Sequence, residues 1–195
     1  MAKKEVSYFD ILTQLRAKKY FPIYYFMGSE SYYIDELADF FEQHILTEEE
    51  KEFNLTVFYG GDTDMETIVT AAKRYPMLSE YQVILVKEAQ NIKDIDNLEF
   101  YLQQPAPTTI LVFCHKHGRI DKRLKVANLI RKHGVLFESK EVRDYELPKF
   151  ITDYVKQKGA QIQPKASSMM ADFVGADLNR MTKELEKLLI VCLGK

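Results

Sequence analysis

The sequence predicts an α/β protein whose parallel sheet is followed by a small, all-helical domain. Up to about residue 140, short apolar segments rich in β-branched and aromatic residues alternate with helical patterns. This alternation is typical of a parallel sheet, and near-continuously apolar strands are typical of a sheet that helices cover on both faces. After Ser139 no further strand is predicted. We therefore expect a boundary near Lys140, which gives domains of residues 1–140 and 141–195.

The first domain is predicted to alternate strands and helices in chain order. Residues 31–45 form a helix, because their apolar side chains recur at helical spacing. Thr63 and Glu66 have the spacing of a capping box, which predicts a helix start. Residues 91–105 and 119–134 are further predicted helices, each ending at a proline or a glycine. The predicted strands are residues 22–28, 53–60, 81–88, 108–114 and 134–139.

The second domain is predicted to contain three helices, over residues 147–159, 164–175 and 177–192. Pro148 and Pro164 lie near the starts of two of them, where proline is tolerated. The last helix runs into the apolar segment LLIVCLGK. Such an end has little to pack against in so short a domain, so we expect a fragment of a longer protein or a further packing partner.

Composition excludes several classes of protein. The chain has 195 residues, 46% of them hydrophobic, and a net charge of -2, which indicates a folded protein without a global charge that favours nucleic acid or membranes. Cys114 and Cys192 form no C-x-x-C pair, so we expect neither a disulfide nor a structural zinc site. No apolar leader and no membrane-spanning segment are evident. We expect a soluble cytoplasmic protein.

The segment YYFMGSESYYIDEL has the layout of a phosphate-binding loop: a strand, a glycine, a polar turn and a helix. Such a loop reads G-x-x-x-x-G-K-[ST], in which backbone amides and the lysine hold the phosphates and the hydroxyl holds magnesium. Counted from Gly28, Tyr33 replaces the second glycine, and Ile34 and Asp35 replace the lysine and the hydroxyl. Glu30 adds negative charge where a phosphate would be favoured. The sequence therefore predicts the architecture of a nucleotide site without nucleotide binding.

Motifs for other chemistry are incomplete. An ATPase of this architecture needs an acidic pair after a buried strand, but Lys87 stands at the metal-binding position and only Glu88 remains. In the segment CHKH, His115 and His117 would share one face of a strand, with Cys114 on the other, and no third or fourth ligand follows at a zinc spacing. No nucleophile motif is present. We predict neither a catalytic site nor a metal site.

A basic segment, residues 115–133, carries seven Lys or Arg and one Asp. It could contact nucleic-acid phosphates without sequence preference. It could also be the solvated face of one amphipathic helix with Ile120, Leu124, Ala127 and Ile130 turned inward, and we favour this interpretation. The residues that a DNA-facing patch would use are Lys116, Arg119, Lys122 and Arg123.

The connection after the second predicted helix carries two large apolar residues. A helix ends near Tyr75 and Pro76, and Met77 and Leu78 follow before the next strand. These side chains could be local core at the sheet edge. Alternatively, an exposed Met–Leu pair would fill an apolar pocket on a partner, since methionine adapts its shape to such sites.

Four segments spread over nearly the whole chain carry a family resemblance. They are YYFMGSESYYIDELADFF (24–41), VFYGGDTDMETIVTAAKRYPMLSEYQVILVKEAQ (57–90), TTILVFCHKHGRIDKR (108–123) and ADLNRMTKELEKL (176–188). In this order and spacing they resemble the delta subunit of the bacterial DNA polymerase III clamp loader. The resemblance implies a degenerate AAA+ fold, with a RecA-like α/β domain and a helical lid-like domain. The family's third domain, a helical collar, is not matched by this chain.

The resemblance implies a non-catalytic subunit of a DNA-directed DNA polymerase holoenzyme, a nucleotidyltransferase complex. The family's delta subunit neither binds nor hydrolyses ATP, so no cofactor is expected. It binds the ring-shaped sliding clamp (the beta subunit) and opens one interface. Its other partners are the gamma/tau and delta prime subunits, with DNA reached through the assembled complex and no membrane involved.

The resemblance also implies roles for particular residues. The family's hydrophobic wedge, which contacts the clamp, maps onto Met77 and Leu78, flanked by Tyr75 and Pro76. Many relatives have phenylalanine at the second wedge position, so the side chain of Leu78 would fill less of the clamp pocket. Asn179 replaces the nucleotide-contacting arginine of related lid domains. Two alternatives stay open: an active AAA+ or P-loop ATPase, and a nucleic-acid-binding α/β protein that uses the basic patch from Lys116 to Lys132.

Overall fold

Five parallel strands form the centre of the first part of the chain. A computed structural model describes residues 6–193, which divide into two compact units, one up to Lys140 and one from Glu141 onward. The strand order in the sheet is β2-β3-β4-β1-β5, and every pairing is parallel. The predicted parallel sheet is thus confirmed. The strands are β1 (Ile23–Gly28), β2 (Leu55–Tyr59), β3 (Gln82–Lys87), β4 (Thr109–Lys116) and β5 (Val135–Ser139).

Helices cover both faces of the sheet. Along β1, Ile23, Tyr25 and Met27 belong to one core cluster, whereas Tyr24 and Phe26 belong to the other. Because alternate strand residues point to opposite faces, a strand covered on both sides is apolar at every position. The helices are α1 (Tyr8–Arg16) and α2 (Ser31–His44) on one face, α4 (Met65–Ala72), α5 (Leu98–Leu102) and α6 (Lys125–His133) on the other, and α3 (Glu48–Asn54) directly before β2.

The second unit contains only helices among its described residues, as predicted. Pro148 lies in the first turn of its first helix and Pro164 begins its second, which ends at Gly175 with a φ of 79°. Asn179 and Arg180 are exposed in the first turn of the third. In the range 6–193, no helix combines the length and apolar character needed to cross a bilayer. The three helices are α7 (Leu147–Gln157), α8 (Pro164–Val174) and α9 (Leu178–Leu193).

The predicted strand 53–60 is wrong in its first two residues. Thr47 and Glu50 form a capping box that begins α3, and this helix continues through Phe53 and Asn54. The strand begins only at Leu55. Helix α1 was not predicted, although Ser7 and Asp10 form a capping box at its start.

The predicted capping box of α4 is also wrong. Asp64, not Thr63, caps this helix, and its carboxylate accepts a hydrogen bond from the Thr67 amide at 2.8 Å. This bond lowers the pKa of Asp64. The Thr63 hydroxyl oxygen is buried without a hydrogen-bond partner in the described structure.

Two predicted helices are shorter than their sequence patterns. Within 91–105 only Leu98–Leu102 is α-helical. Asp94 adopts a left-handed conformation (φ 59°), which prevents a continuous helix from the start of this segment. Within 119–134 the helix begins at Lys125. The Asp121 carboxylate accepts hydrogen bonds from the Arg123 backbone amide and guanidinium, at 2.9 and 2.8 Å, and this local turn competes with a helix.

Candidate functional site

The loop between α4 and β3 carries Tyr75, Pro76, Met77 and Leu78, which we call the tip; all but the partly buried Pro76 are exposed. Tyr75 is 87% exposed, Met77 59% and Leu78 100%. Local packing at the sheet edge, the alternative left open by the sequence, therefore does not account for these side chains. The tip instead offers apolar surface that a partner can bury.

The tip has an unusual backbone conformation. Leu78 has a φ of 53°, in the left-handed region that residues with a side chain rarely adopt. This conformation costs roughly 1–2 kcal/mol for an L-amino acid. Since Leu78 is fully exposed, its own side chain contributes no packing that would offset this cost. The surrounding structure must hold the loop in place.

Asn54 fixes one side of the tip. This residue ends α3 and is only 3% exposed. Its amide oxygen accepts a hydrogen bond from the Met77 backbone N–H at 2.7 Å, and its amide nitrogen donates to the Met77 carbonyl at 2.9 Å. The same nitrogen donates to the Glu50 carbonyl at 3.0 Å. The Asn54 amide therefore joins α3 to the backbone of the tip through both of its polar atoms.

Gln82 fixes the other side of the loop. From the start of β3 its side-chain amide donates to the Arg74 carbonyl at 2.5 Å and to the Thr109 hydroxyl at 2.7 Å. The Thr109 hydroxyl in turn donates to the Ala72 carbonyl at 2.8 Å. Both polar side chains are buried, so these bonds are shielded from water. The end of α4 is thereby anchored to the centre of the sheet.

The Glu50 carboxylate adds a contact beyond the tip. Hydrogen bonds from the Thr47 backbone amide and the Ser79 hydroxyl lower its pKa. The first of these belongs to the capping box of α3, and the second reaches the residue after Leu78. Helix α3 therefore contacts the loop on both sides of Leu78.

The region that resembles a nucleotide site lies at the carboxyl end of β1. The Gly28 amide donates to the Gly118 carbonyl, and the Gly28 carbonyl accepts from the His117 amide, each at 2.9 Å. A side chain at position 28 would lie 2.0 Å from the Ser139 carbonyl oxygen. Close packing against β5 thus explains the glycine, and its amide is already paired.

The residues that replace the phosphate-binding motif have other contacts. The Glu30 carboxylate accepts a hydrogen bond from the Tyr32 amide at 3.0 Å, so a negative charge already caps α2. The Tyr33 ring lies 4.8 Å from that of Tyr8. Ile34 is fully buried in the core, and Asp35 forms a salt bridge of 2.5 Å with Lys116. These contacts occupy the positions where a nucleotide would need free amides and cations.

Lys87 does not take the place of a metal ligand. Its ammonium group lies 2.8 Å from the carboxylate of Glu42 on α2. Glu88, the acidic residue that remained in the sequence motif, has a left-handed backbone with a φ of 54°. The end of β3 therefore carries a lysine whose charge is paired with a glutamate of α2.

We expect this chain not to bind ATP, because the Gly28 amide, the start of α2 and the nearby lysines all have partners within the protein. Calorimetric titration with Mg-ATP should show no saturable heat, whereas a clamp-loader ATPase subunit titrated in parallel should bind. Micromolar binding by this chain would contradict the expectation and favour an active ATPase.

The four residues of the predicted basic patch are each paired with a carboxylate. Lys116 contacts Asp35, and Arg123 contacts Asp121 at 2.8 Å. Arg119 and Lys122 both contact Glu138, and the Lys122 contact lowers the pKa of that carboxyl group. Apart from Lys116, which ends β4, these cations lie on the loop before α6 rather than along one helix face. Neighbouring acidic groups offset much of their charge, and DNA contact by this patch stays a hypothesis.

The CHKH segment forms no metal site. His115 is hydrogen-bonded to the Tyr25 hydroxyl at 2.9 Å, and burial lowers the pKa of its imidazole. His117 leaves the strand with a φ of 56°, so the two histidines do not share a strand face as predicted. Burial raises the pKa of the Cys114 thiol to about 12. Within residues 6–193, no group of three or more His, Cys, Asp or Glu could hold a metal ion.

Sequence reasoning missed Asn54 and Gln82, the two residues that hold the loop. Asn54 was placed inside a predicted strand, although asparagine is depleted in strands. An asparagine in a predicted strand was therefore the one sequence feature that could have drawn attention to Asn54. No sequence feature distinguishes Gln82, because a polar residue at the start of a strand is common.

Comparisons with known proteins agree with this geometry. The family described as DNA polymerase III, delta subunit, matches residues 24–140. DNA polymerase III subunit delta of Bacillus subtilis (strain 168) is 26% identical over 190 residues, which are 92% of this chain and 55% of that protein. The structure of the Bacillus subtilis DNA clamp loader delta protein superimposes with a TM-score of 0.82 and 25% identity, over 95% of this chain and 58% of that one.

The chain thus spans somewhat more than half the length of the relatives that it matches. The family match covers more than half of the chain, and it includes all but the first residue of β1, the tip and the region that resembles a nucleotide site. The predicted fold class, a parallel α/β sheet followed by a helical part, is confirmed by the sheet topology and by the likeness to the delta structure. The chain belongs to the DNA polymerase III delta subunit family.

Proposed function

We propose that this chain is the clamp-binding part of a clamp-loader delta subunit. It binds the ring-shaped sliding clamp and opens one interface, so that the ring can be loaded onto DNA, and it does so without ATP hydrolysis of its own. The observation that carries the proposal is the tip: large apolar side chains, Leu78 above all, are exposed on a loop whose backbone is held from both sides.

The physical properties of the tip suit insertion into an apolar pocket. Few residues dominate the energetics of most interfaces, and these are bulky side chains that become fully desolvated on binding. Leu78 and Met77 provide such side chains, with Tyr75 beside them. Because the loop is anchored by Asn54 and Gln82, little conformational entropy is lost when it docks.

The two units take different roles in this proposal. Residues 1–140 bind the clamp, and residues 141–195 correspond to the lid-like domain. The family's helical collar domain, which the resemblance implies and which would join the subunit to gamma/tau and delta prime, is not matched by this chain. The subunit acts in the cytoplasm as a non-catalytic member of the polymerase holoenzyme and meets DNA through the assembled complex.

The alternatives have less support. An active ATPase needs free backbone amides and a lysine at the start of α2, where Glu30 and buried Ile34 lie instead. A DNA-binding role for the basic patch needs uncompensated charge, but its four cations face carboxylates. No described residue cluster favours a second function over clamp binding.

Two measurements test the proposed function. The purified chain should be retained by immobilised sliding clamp from the source organism, and it should release clamp rings from nicked circular DNA without ATP. Failure of the folded chain to bind the clamp would overturn the proposal. Binding without ring release would support clamp recognition and contradict ring opening by this part of the subunit alone.

A further inference from the structure

We propose that Asn54 is a positioning residue for clamp binding, which fixes the backbone of Met77 so that Leu78 is presented to the clamp. This inference rests on the proposed function. It concerns a buried polar residue on α3, outside the tip itself. Asn54 acts through the loop rather than by contact with the partner.

The hydrogen-bond pattern of Asn54 supports this role. Two of its three bonds go to the backbone N–H and C=O of one residue, Met77, 23 positions away. This cyclic pairing resembles the bonding between neighbouring strands and fixes both the position and the orientation of the residue. The third bond, to the Glu50 carbonyl, fixes the Asn54 side chain on its own helix. A buried amide with this set of partners has no spare hydrogen-bonding group on its nitrogen.

The conformation of Leu78 makes such fixation necessary. The residue is left-handed and fully exposed, so neither its backbone preference nor its side-chain packing holds it there. Met77 is its immediate neighbour, and the bonds of Asn54 end on that residue. If these bonds were lost, Leu78 would relax toward commoner backbone conformations. The clamp would then have to reimpose the bound conformation, at a cost in affinity.

The geometry also separates Asn54 from the core. Gln82 and Thr109 anchor the loop on the side of Arg74 and Ala72, so the end of α4 stays attached to the sheet without Asn54. The side-chain hydrogen bonds of Asn54 go to its own helix and to the tip, to Glu50 and Met77. Loss of its side chain should therefore alter the tip more than the fold.

The first test is clamp affinity of the full chain with Asn54→Ala, measured by surface plasmon resonance on the sliding clamp. We expect a loss of about tenfold, because one or two loop residues must then be ordered on binding. Amide hydrogen exchange at Met77 should accelerate in the same variant. Val126→Ala is the stability control: Val126 is a fully buried residue of α6 without hydrogen bonds to the tip, and its truncation leaves a cavity in the core. This variant should bind the clamp normally. Unchanged affinity of folded Asn54→Ala would overturn the inference.

A double-mutant cycle separates positioning from general destabilisation. Leu78→Ala should cost less affinity in the Asn54→Ala background than in the wild type, because an unpositioned Leu78 contributes less. Additive losses would contradict the inference. If Leu78→Ala alone left clamp binding unchanged, the role of the tip in the proposed function would fail instead.

A second substitution covers the case in which Asn54→Ala does not fold. Asn54→Ser keeps a small polar side chain without burying a charge, but its single, shorter hydroxyl cannot replace the paired bonds to the Met77 amide and carbonyl. We expect a loss of affinity similar to that of Asn54→Ala. Wild-type affinity together with unchanged exchange at Met77 would refute positioning through this pair of bonds.

Discussion

The double variant Met77→Ala/Leu78→Ala is expected to lose roughly 30-fold or more of its affinity for the sliding clamp, while its melting temperature hardly changes. Burying a Met or Leu side chain in a dry pocket contributes roughly 1.5–3 kcal/mol. Since alanine keeps part of the contact, the two truncations together should cost about 2–5 kcal/mol of binding free energy. Both side chains are largely exposed in the free chain, so folding loses little when they are removed.

Surface plasmon resonance on immobilised clamp measures the affinity of the double variant, and thermal unfolding measures its melting temperature. Phe100→Ala is the matched control, because Phe100 is a large apolar side chain, 76% exposed, outside the tip. It should leave both affinity and melting temperature unchanged. A folded double variant that binds the clamp normally would refute the assignment of the tip. A large drop in melting temperature would indicate that the pair packs within the protein.

Gly28→Ala is expected to destabilise the fold by at least about 3 kcal/mol. The added Cβ would lie 2.0 Å from the carbonyl oxygen of Ser139 and 2.7 Å from its amide nitrogen, so the backbone of β1 or β5 would have to move. The φ of 133° at Gly28 is also strained for any residue with a side chain. A loss of this size is a large part of the stability of a typical domain.

Gly61→Ala provides the control for this prediction. Gly61 is exposed, and a Cβ there would meet nothing within 4 Å. We expect a change within about 0.5 kcal/mol, as for most surface substitutions. The free energy of unfolding in urea measures both variants. If Gly28→Ala were as stable as Gly61→Ala, β1 and β5 would be able to move apart to accept the added Cβ. Close packing against β5 would then not explain the glycine at position 28.

The parts of the fold that could be predicted from sequence are those fixed by local pattern. Segment 22–28 is apolar because helices cover both sides of the sheet, and β1 lies within these limits. The loss of the phosphate-binding motif was visible because that motif is contiguous. The tip was visible because Pro76 disfavours a helix at Tyr75 and forces the chain to turn.

What could not be predicted depends on contacts between distant residues. Asn54 meets Met77 across 23 positions, and the closeness of Gly28 to Ser139 follows from the pairing of β1 with β5. The basic segment looked like one helix face because nothing in its spacing reveals the local turn at Asp121. Its charge looked uncompensated because one of its partners, Glu138, lies on a different strand. Exposure of the tip is likewise a property of the folded chain alone.

Site-specific photo-crosslinking can show whether Leu78 enters the sliding clamp, as we propose. A benzophenone side chain would be introduced at position 78 and, as a control, at the exposed position 100 on α5. After irradiation with the clamp, we predict a crosslinked product from position 78, mapped by mass spectrometry to an apolar pocket on the clamp, and none from position 100. Equal crosslinking from both positions, or none from position 78 in a complex that still forms, would show that Leu78 does not enter the clamp.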